Sequence, residues 1–133
     1  VITQVPTGAG TYSEWTASAG SGYQCVDEIP HTSDTDYISS ATVGNRETFT
    51  FPALGVTGTV KAVALHRWSR KDDAGARNIA PMIRRSSTDY VGTTVAQSAS
   101  YAGQQQIYET DPSTSAAWTV SGIDAGEYGV KDV

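Results

Sequence analysis

Thr59-Val60-Lys61-Ala62-Val63-Ala64-Leu65-His66-Arg67-Trp68-Ser69-Arg70 is the stretch that decides the fold. In an extended chain Val60, Ala62, Ala64, His66 and Trp68 share one face, and Lys61, Val63, Leu65, Arg67 and Ser69 share the other. Both faces begin apolar and end polar. That pattern predicts a central strand whose last residues emerge into solvent. Lys71-Asp72-Asp73-Ala74-Gly75 follows, with Asp and Gly where a positive φ is tolerated. A hairpin is therefore expected, with Asn78–Arg85 as its return strand.

Working outward, Thr11–Trp15, Tyr23–Ile29, Tyr37–Ser40 and Glu47–Phe51 read as strands, the second ending at Pro30, which has no N–H to donate. Asp89–Gly92 and Thr93–Ser98 read as a further hairpin, Gln104–Thr110 as a strand and Glu127–Val133 as the closing strand. Asp111-Pro112-Ser113-Thr114 is a turn, and Trp118–Asp124 holds a short helical turn. Turn signals recur roughly every ten residues among about eight to ten short strands. The fold class is all-β, a single-domain antiparallel β-sandwich or jelly roll over residues 11–133. Residues 1–10, broken by Pro6, Gly8 and Gly10, read as an N-terminal arm.

Composition agrees. The chain has 133 residues, enough for one domain with a core of its own. It is 38% hydrophobic, has 13 glycines and contains only Leu54 and Leu65 as leucines, which excludes a helical bundle. A net charge of −5 repels phosphate backbones, so no nucleic-acid partner is expected. The one basic stretch, Arg67–Lys71 with Arg84 and Arg85 beyond it, reads as solvated strand ends rather than an anion site. Cys25 is the single cysteine, so no intrachain disulfide forms, in keeping with assembly in a reducing cytoplasm. No apolar run approaches a membrane span and no signal peptide is visible, although the chain begins at Val1 rather than Met.

The residues that would carry chemistry are sparse. His31 and His66 fit no zinc spacing, and His66 reads as a packed or edge residue of its strand. No Gly-rich phosphate loop and no Gly-x-Ser-x-Gly elbow occurs. Asp34 with Asp36, and Asp72 with Asp73, lie among turn residues, and nothing suggests a carboxyl held in an apolar pocket. The expectation is a protein that is not an enzyme and needs no cofactor. Asp34-x-Asp36 is a weak calcium candidate without a third carboxylate at useful spacing. Trp15, Trp68 and Trp118, with seven tyrosines, have two readings: a glycan platform, or aromatic packing in a core poor in leucine.

A resemblance adds to this. Arg70-Lys71-Asp72-Asp73-Ala74-Gly75-Ala76-Arg77 with Ile83-Arg84-Arg85 resembles a pattern in small structural proteins of tailed bacteriophages. So does Ile107-Tyr108-Glu109-Thr110-Asp111-Pro112-Ser113-Thr114-Ser115-Ala116-Ala117-Trp118-Thr119, closing with Ile123-Asp124-Ala125-Gly126-Glu127-Tyr128-Gly129-Val130. Upstream, Asp34–Ser40 and Thr48-Phe49-Thr50-Phe51 match the same layout. The match covers about 100 residues, and Asp111-Pro112-x-Thr114-x-x-x-Trp118 is its sharpest piece. It implies a jelly-roll or lectin-like β-sandwich on a phage tail or as a capsid decoration. Other virion proteins would be its partners, and it would reside in the virion after assembly in the host cytoplasm.

A homo-oligomer, as trimers or a ring, or repeated copies on a symmetric lattice is also expected, because a core poor in large aliphatics gains from burial between subunits. Val1, Ile2 and Val5 of the arm are the candidate assembly contacts. The competing view of the arm is a disordered terminus. The alternative function is a carbohydrate-binding module contacting host-surface glycans.

Overall fold

The computed structural model describes all residues, 1–133. The strands are β1 (Gly8–Ser13), β2 (Thr16–Ala17), β3 (Ile38–Ser39), β4 (Arg46–Thr50), β5 (Val63–Ser69), β6 (Asn78–Arg85), β7 (Thr88–Val91), β8 (Val95–Ala96), β9 (Ala102–Tyr108), β10 (Thr110–Asp111), β11 (Ala116–Ala117) and β12 (Glu127–Asp132). One short helix, α1 (Val120–Asp124), precedes β12, and two one-turn 3-10 helices occupy Gly22–Cys25 and Ser33–Thr35. The all-β expectation holds.

The main sheet runs β1-β4-β12-β6-β7, with β8 also paired to β6. β12 lies in its middle because Tyr128, Val130 and Asp132 alternate into the interior. Tyr128 sits opposite Phe49 of β4 on one side and Ile83 of β6 on the other. β6 buries Ile79 through Ile83 without alternation, as a strand covered on both faces does. Pro81 costs this ladder no donor. Its carbonyl accepts from Gly92 N at 2.8 Å, on the side where β7 has ended and β8 has not begun.

β5 departs from expectation. It pairs with β9 alone, from Val63↔Tyr108 to Ser69↔Ala102, in a two-stranded ribbon separate from the main sheet. Both strands are half-buried on alternate residues, so β5 is not a central strand. The segment after it is likewise no hairpin turn. Residues 70–77 cross from the ribbon to the main sheet, closed on themselves by Asp73, which accepts from Arg77 and from Gly75 N, and by Lys71, which donates to Gly75 O.

Other elements also differ. Tyr23–Ile29 is not a strand: Ser21 N donates to the Gln24 side chain at 3.0 Å and the backbone winds into a 3-10 turn. β7 and β8 do not form a hairpin with each other, since each pairs with β6. β1 starts at Gly8, within the expected arm, with Gly8 opposite Thr50 and Ala9 opposite Phe49.

β1 then bulges. Ala9 to Ser13 spans four steps while its β4 partners, Phe49 to Glu47, span two. The extra residues fold over the outer face of the sheet, where a Cβ on Gly10 would meet Thr48 Oγ1 at 2.5 Å. Thr11 donates to Glu127, and Tyr12 OH donates to Asp89 at 2.8 Å. The Arg46 guanidinium lies 3.7 Å over the Tyr12 ring.

The core is small: 18 of 133 residues are buried. Ile83, Trp118 and Tyr128 form its centre, with Val63, Leu65 and Tyr108 packed from the ribbon and Ile123 from α1. Trp118 is the plug. Its Nε1 donates to Tyr108 O at 3.0 Å, and burial of roughly 200 Å² of indole contributes about 5 kcal/mol. Thr119 caps α1 by accepting from Gly122 N at 2.9 Å, and Tyr128 OH donates to Ile123 O. The accessible surface is 7386 Å². A compact protein of this mass exposes about 6,700 Å², so the chain is somewhat more open than its mass requires.

Candidate functional site

The ribbon concentrates what the fold leaves unfinished. Its outer face carries Ala64, His66 and Trp68 from β5 beside Ile107, Gln105 and Gly103 from β9, all exposed. Trp68 is 42% exposed and Ile107 59%. Gly103 lies directly opposite Trp68, and a Cβ there would stand 3.4 Å from the indole, so the glycine lets the ring lie across the ribbon.

An aromatic and charged group gathers at this end. His31 stacks on Trp68 with centroids 3.9 Å apart, and Tyr101 lies parallel to Trp68 within 2° at 6.0 Å. Arg70 donates through Nε and Nη2 to Asp34 Oδ1 at 3.2 and 3.0 Å, and Tyr101 OH donates to the same oxygen at 2.9 Å. The Arg70 and Tyr101 donors hold the Asp34 carboxyl below its ordinary value. Burial, and then the Asp34 carboxylate, push the Tyr101 phenol up.

The inner face is polar where it leaves the core. Ser69 Oγ donates to Gln97 Oε1 at 2.7 Å, and Arg67 Nη2 donates to Gln104 Oε1 at 3.3 Å. Arg67 Nε and Nη1 are buried without a partner, as is Tyr108 OH. Burial lowers the Arg67 guanidinium below its usual value.

The ribbon also has two open edges. Every residue from Thr59 to Asp73 borders one open cleft of about 1700 Å³, whose opposite wall includes Phe49, Ile79 and Val130 of the main sheet. Beyond the mutual β5–β9 pairing, neither strand makes a backbone–backbone hydrogen bond.

The residues singled out from the sequence scatter. Trp118 is 3% exposed in the core and offers no face to a sugar. Trp15 is half-buried, donating from Nε1 to Asn45 O at 3.2 Å. Of the three tryptophans, Trp68 alone presents an exposed ring. Asp34 and Asp36 do not converge: Asp34 faces Arg70 and Tyr101, whereas Asp36 accepts from Ser18 Oγ at 2.8 Å. Val1 and Ile2 are exposed. Val5 is half-buried in a segment docked on its own domain, through Gln4 Nε2 to Pro52 O at 2.8 Å and Thr7 N to Thr50 O at 2.9 Å.

One carboxyl corrects the sequence reading. Glu47 is 1% exposed, and burial pushes its pKa up although Trp15 N donates to it at 3.0 Å. It does not border the cleft. Only the alternation of β4 hints at it, since Glu47 shares a face with Phe49. No helix is long and apolar enough to cross a membrane.

No known protein family, curated protein or solved structure matches this chain.

Proposed function

We propose that the chain is a non-enzymatic structural protein of a bacteriophage virion, a tail component or capsid decoration, acting by protein–protein assembly. The observation that carries this reading is the unfinished second layer. A six-stranded sheet is faced by a two-stranded ribbon with both edges unpaired, beside an open cleft. Unpaired strand edges and uncovered apolar surface are what partner chains complete. Of the three buried carboxyls, Glu47 and Asp111 do not border that cleft, and Asp132, which does, accepts from Ser40 Oγ at 2.8 Å. The bacteriophage assignment rests on the resemblance of residues 31–133, and the free Cys25 suits assembly in the host cytoplasm. Mass spectrometry of virions from a host carrying the gene is the test. Stoichiometric recovery of the chain in purified particles is expected, and its absence from them overturns the reading.

A carbohydrate-binding reading retains one observation, the exposed Trp68 ring with the Tyr101 ring parallel to it. It requires His31 to leave the Trp68 face it covers. Host glycans would be the ligands. A glycan array read with the wild type and Trp68→Ala decides it: hits lost in the variant support it, and no hits eliminate it.

A further inference from the structure

We infer that the free edge of β9 is a self-association surface, on which a second copy of this chain adds its own β9 antiparallel across a two-fold axis at Gln105. This rests on the assembly reading above and names its partner.

Sheet edges invite pairing unless something blunts them, and among strands of four or more residues three of the four open edges are blunted. β1 follows Pro6 and carries the bulge. β7 has only four residues. The β5 strand is flanked by Lys61 and Lys71, which an antiparallel second copy would bring together as like charges. β9 has none of these devices. Ala102-Gly103-Gln104-Gln105-Gln106-Ile107-Tyr108 contains no charge, no proline and no register shift against β5. Two copies of a chain with net charge −5 meet here without facing charges.

The register follows from two features. The Trp118 indole already occupies the Tyr108 carbonyl, which ends the free stretch at Ile107. Gly103 to Ile107 is then the open run, and Gln105 is its midpoint. Pairing about Gln105 places Ile107 of one copy opposite Gly103 of the other, on the same face. Gly103 is the position over which Trp68 lies, so the exposed Ile107 side chain meets an exposed indole across a residue with no side chain. The contact occurs twice by symmetry. Gln104 and Gln106 lie opposite each other on the inner face.

Five paired residues make a contact at or below the low end of specific interfaces, about 1,200 Å² in total. Self-association is therefore read at high protein concentration, about 0.1–1 mM, in the micromolar-to-millimolar range of weak contacts. Directly opposite residues have Cα atoms about 4.5–5.5 Å apart, within disulfide reach.

The test uses the full chain. Gln105→Cys should give a disulfide-linked dimer under mild oxidation, whereas Thr94→Cys, exposed off the edge, should not. Gln105→Lys with Ile107→Lys should raise the dimer dissociation constant at least tenfold in sedimentation equilibrium with an unchanged Tm, since both side chains are exposed. Dimers that persist in the double lysine variant and do not cross-link at position 105 overturn the edge assignment and leave the assembly reading standing. A wild-type chain monomeric at 1 mM also overturns the edge assignment. Absence from virions overturns the assembly reading whatever the dimer does.

Discussion

Asp111→Asn should cost this protein about 3–5 kcal/mol, a magnitude set by how the carboxylate is used. Asp111 and Arg85 side chains are 3% and 11% exposed. Oδ2 accepts from Arg85 Nε and Nη2 at 3.2 and 2.9 Å, while Oδ1 accepts from Ser113 N and Oγ at 2.8 and 2.7 Å. An asparagine has one acceptor oxygen, so its amide must face either Arg85 or Ser113, both donors. Two hydrogen bonds are lost if the amide faces Arg85 and one if it faces Ser113, whose hydroxyl turns to accept, and in either case the guanidinium is left buried without a counter-ion. At roughly 4 °C per kcal/mol for a chain of this length, Tm falls by about 12–20 °C. Arg85→Met alone should cost a similar amount. The double variant should be about 2 kcal/mol better than the sum, because the introduced asparagine is then free to turn its oxygen to Ser113.

Burial alone would raise the Asp111 carboxyl, but Arg85 and Ser113 outweigh it and hold the pKa below its ordinary value. A depressed folded pKa gives stability that is full above the unfolded carboxyl pKa and fades as pH falls through the folded one. The deficit of Asp111→Asn should therefore shrink in acid. Urea denaturation followed by tryptophan fluorescence between pH 7 and pH 3 is the assay. A variant within 1 kcal/mol of wild type at pH 7, or a deficit that stays constant into acid, would refute this reasoning.

Arg67→Met should raise Tm by a few degrees, on the order of 1 kcal/mol, because Nε and Nη1 are buried without partners; a lower Tm in differential scanning calorimetry would mean that water or Gln104 satisfies them. Glu47 titrates with the opposite sign to Asp111: its raised folded pKa makes stability full below the unfolded carboxyl pKa and lost as pH rises through the folded one. Glu47→Gln should gain on wild type as pH climbs from 4 to 7, and a Tm difference independent of pH contradicts this. Deleting residues 1–3 should leave Tm unchanged, whereas deleting residues 1–9 should lower it, because that removes the Gln4–Pro52 and Thr7–Thr50 bonds and the Gly8 and Ala9 pairing with β4; equal Tm values for the two truncations would show the docking to be energetically idle.

Local pattern and partner choice separate what is legible in the sequence from what is not. β6 spans the predicted Asn78–Arg85, and β12, β4 and α1 fall where apolar alternation and the Trp118 segment place them. The β6–β7 connection escapes a sequence reading because Ser86 and Ser87, with φ of 49° and 62°, form the tight turn that Asn-Gly ordinarily signals. Tyr23–Ile29 misleads because two apolar residues at strand spacing, Tyr23 and Cys25, also suit one 3-10 turn. The partner of β5 is beyond reach, since alternation reports which faces are buried and is silent on which strand supplies the hydrogen bonds. The same limit hides the candidate site. Trp68 and Trp118 are equivalent as residue types, yet one lies across an exposed ribbon and the other plugs the core.

Uneven burial bears on how such a chain acts. Its core is concentrated at the Ile83, Trp118 and Tyr128 end, and the ribbon extends away from that centre into a polar inner face at Arg67 and Gln104. The ribbon's far end is held by side-chain contacts to loops, His31 on Trp68 and Asp34 on Arg70, and by one backbone bond, Lys71 N to Ser98 O at 2.8 Å. Exposed ion pairs of the Asp34–Arg70 kind contribute little. A ribbon so weakly tied gains most from another strand along its edge, because pairing restrains both strands at once. The chain therefore places its least self-sufficient element where a neighbour can complete it. In a repeated lattice, where each subunit meets its neighbours at high effective concentration, a contact that holds two free copies together only in the micromolar-to-millimolar range is enough to order the ribbon.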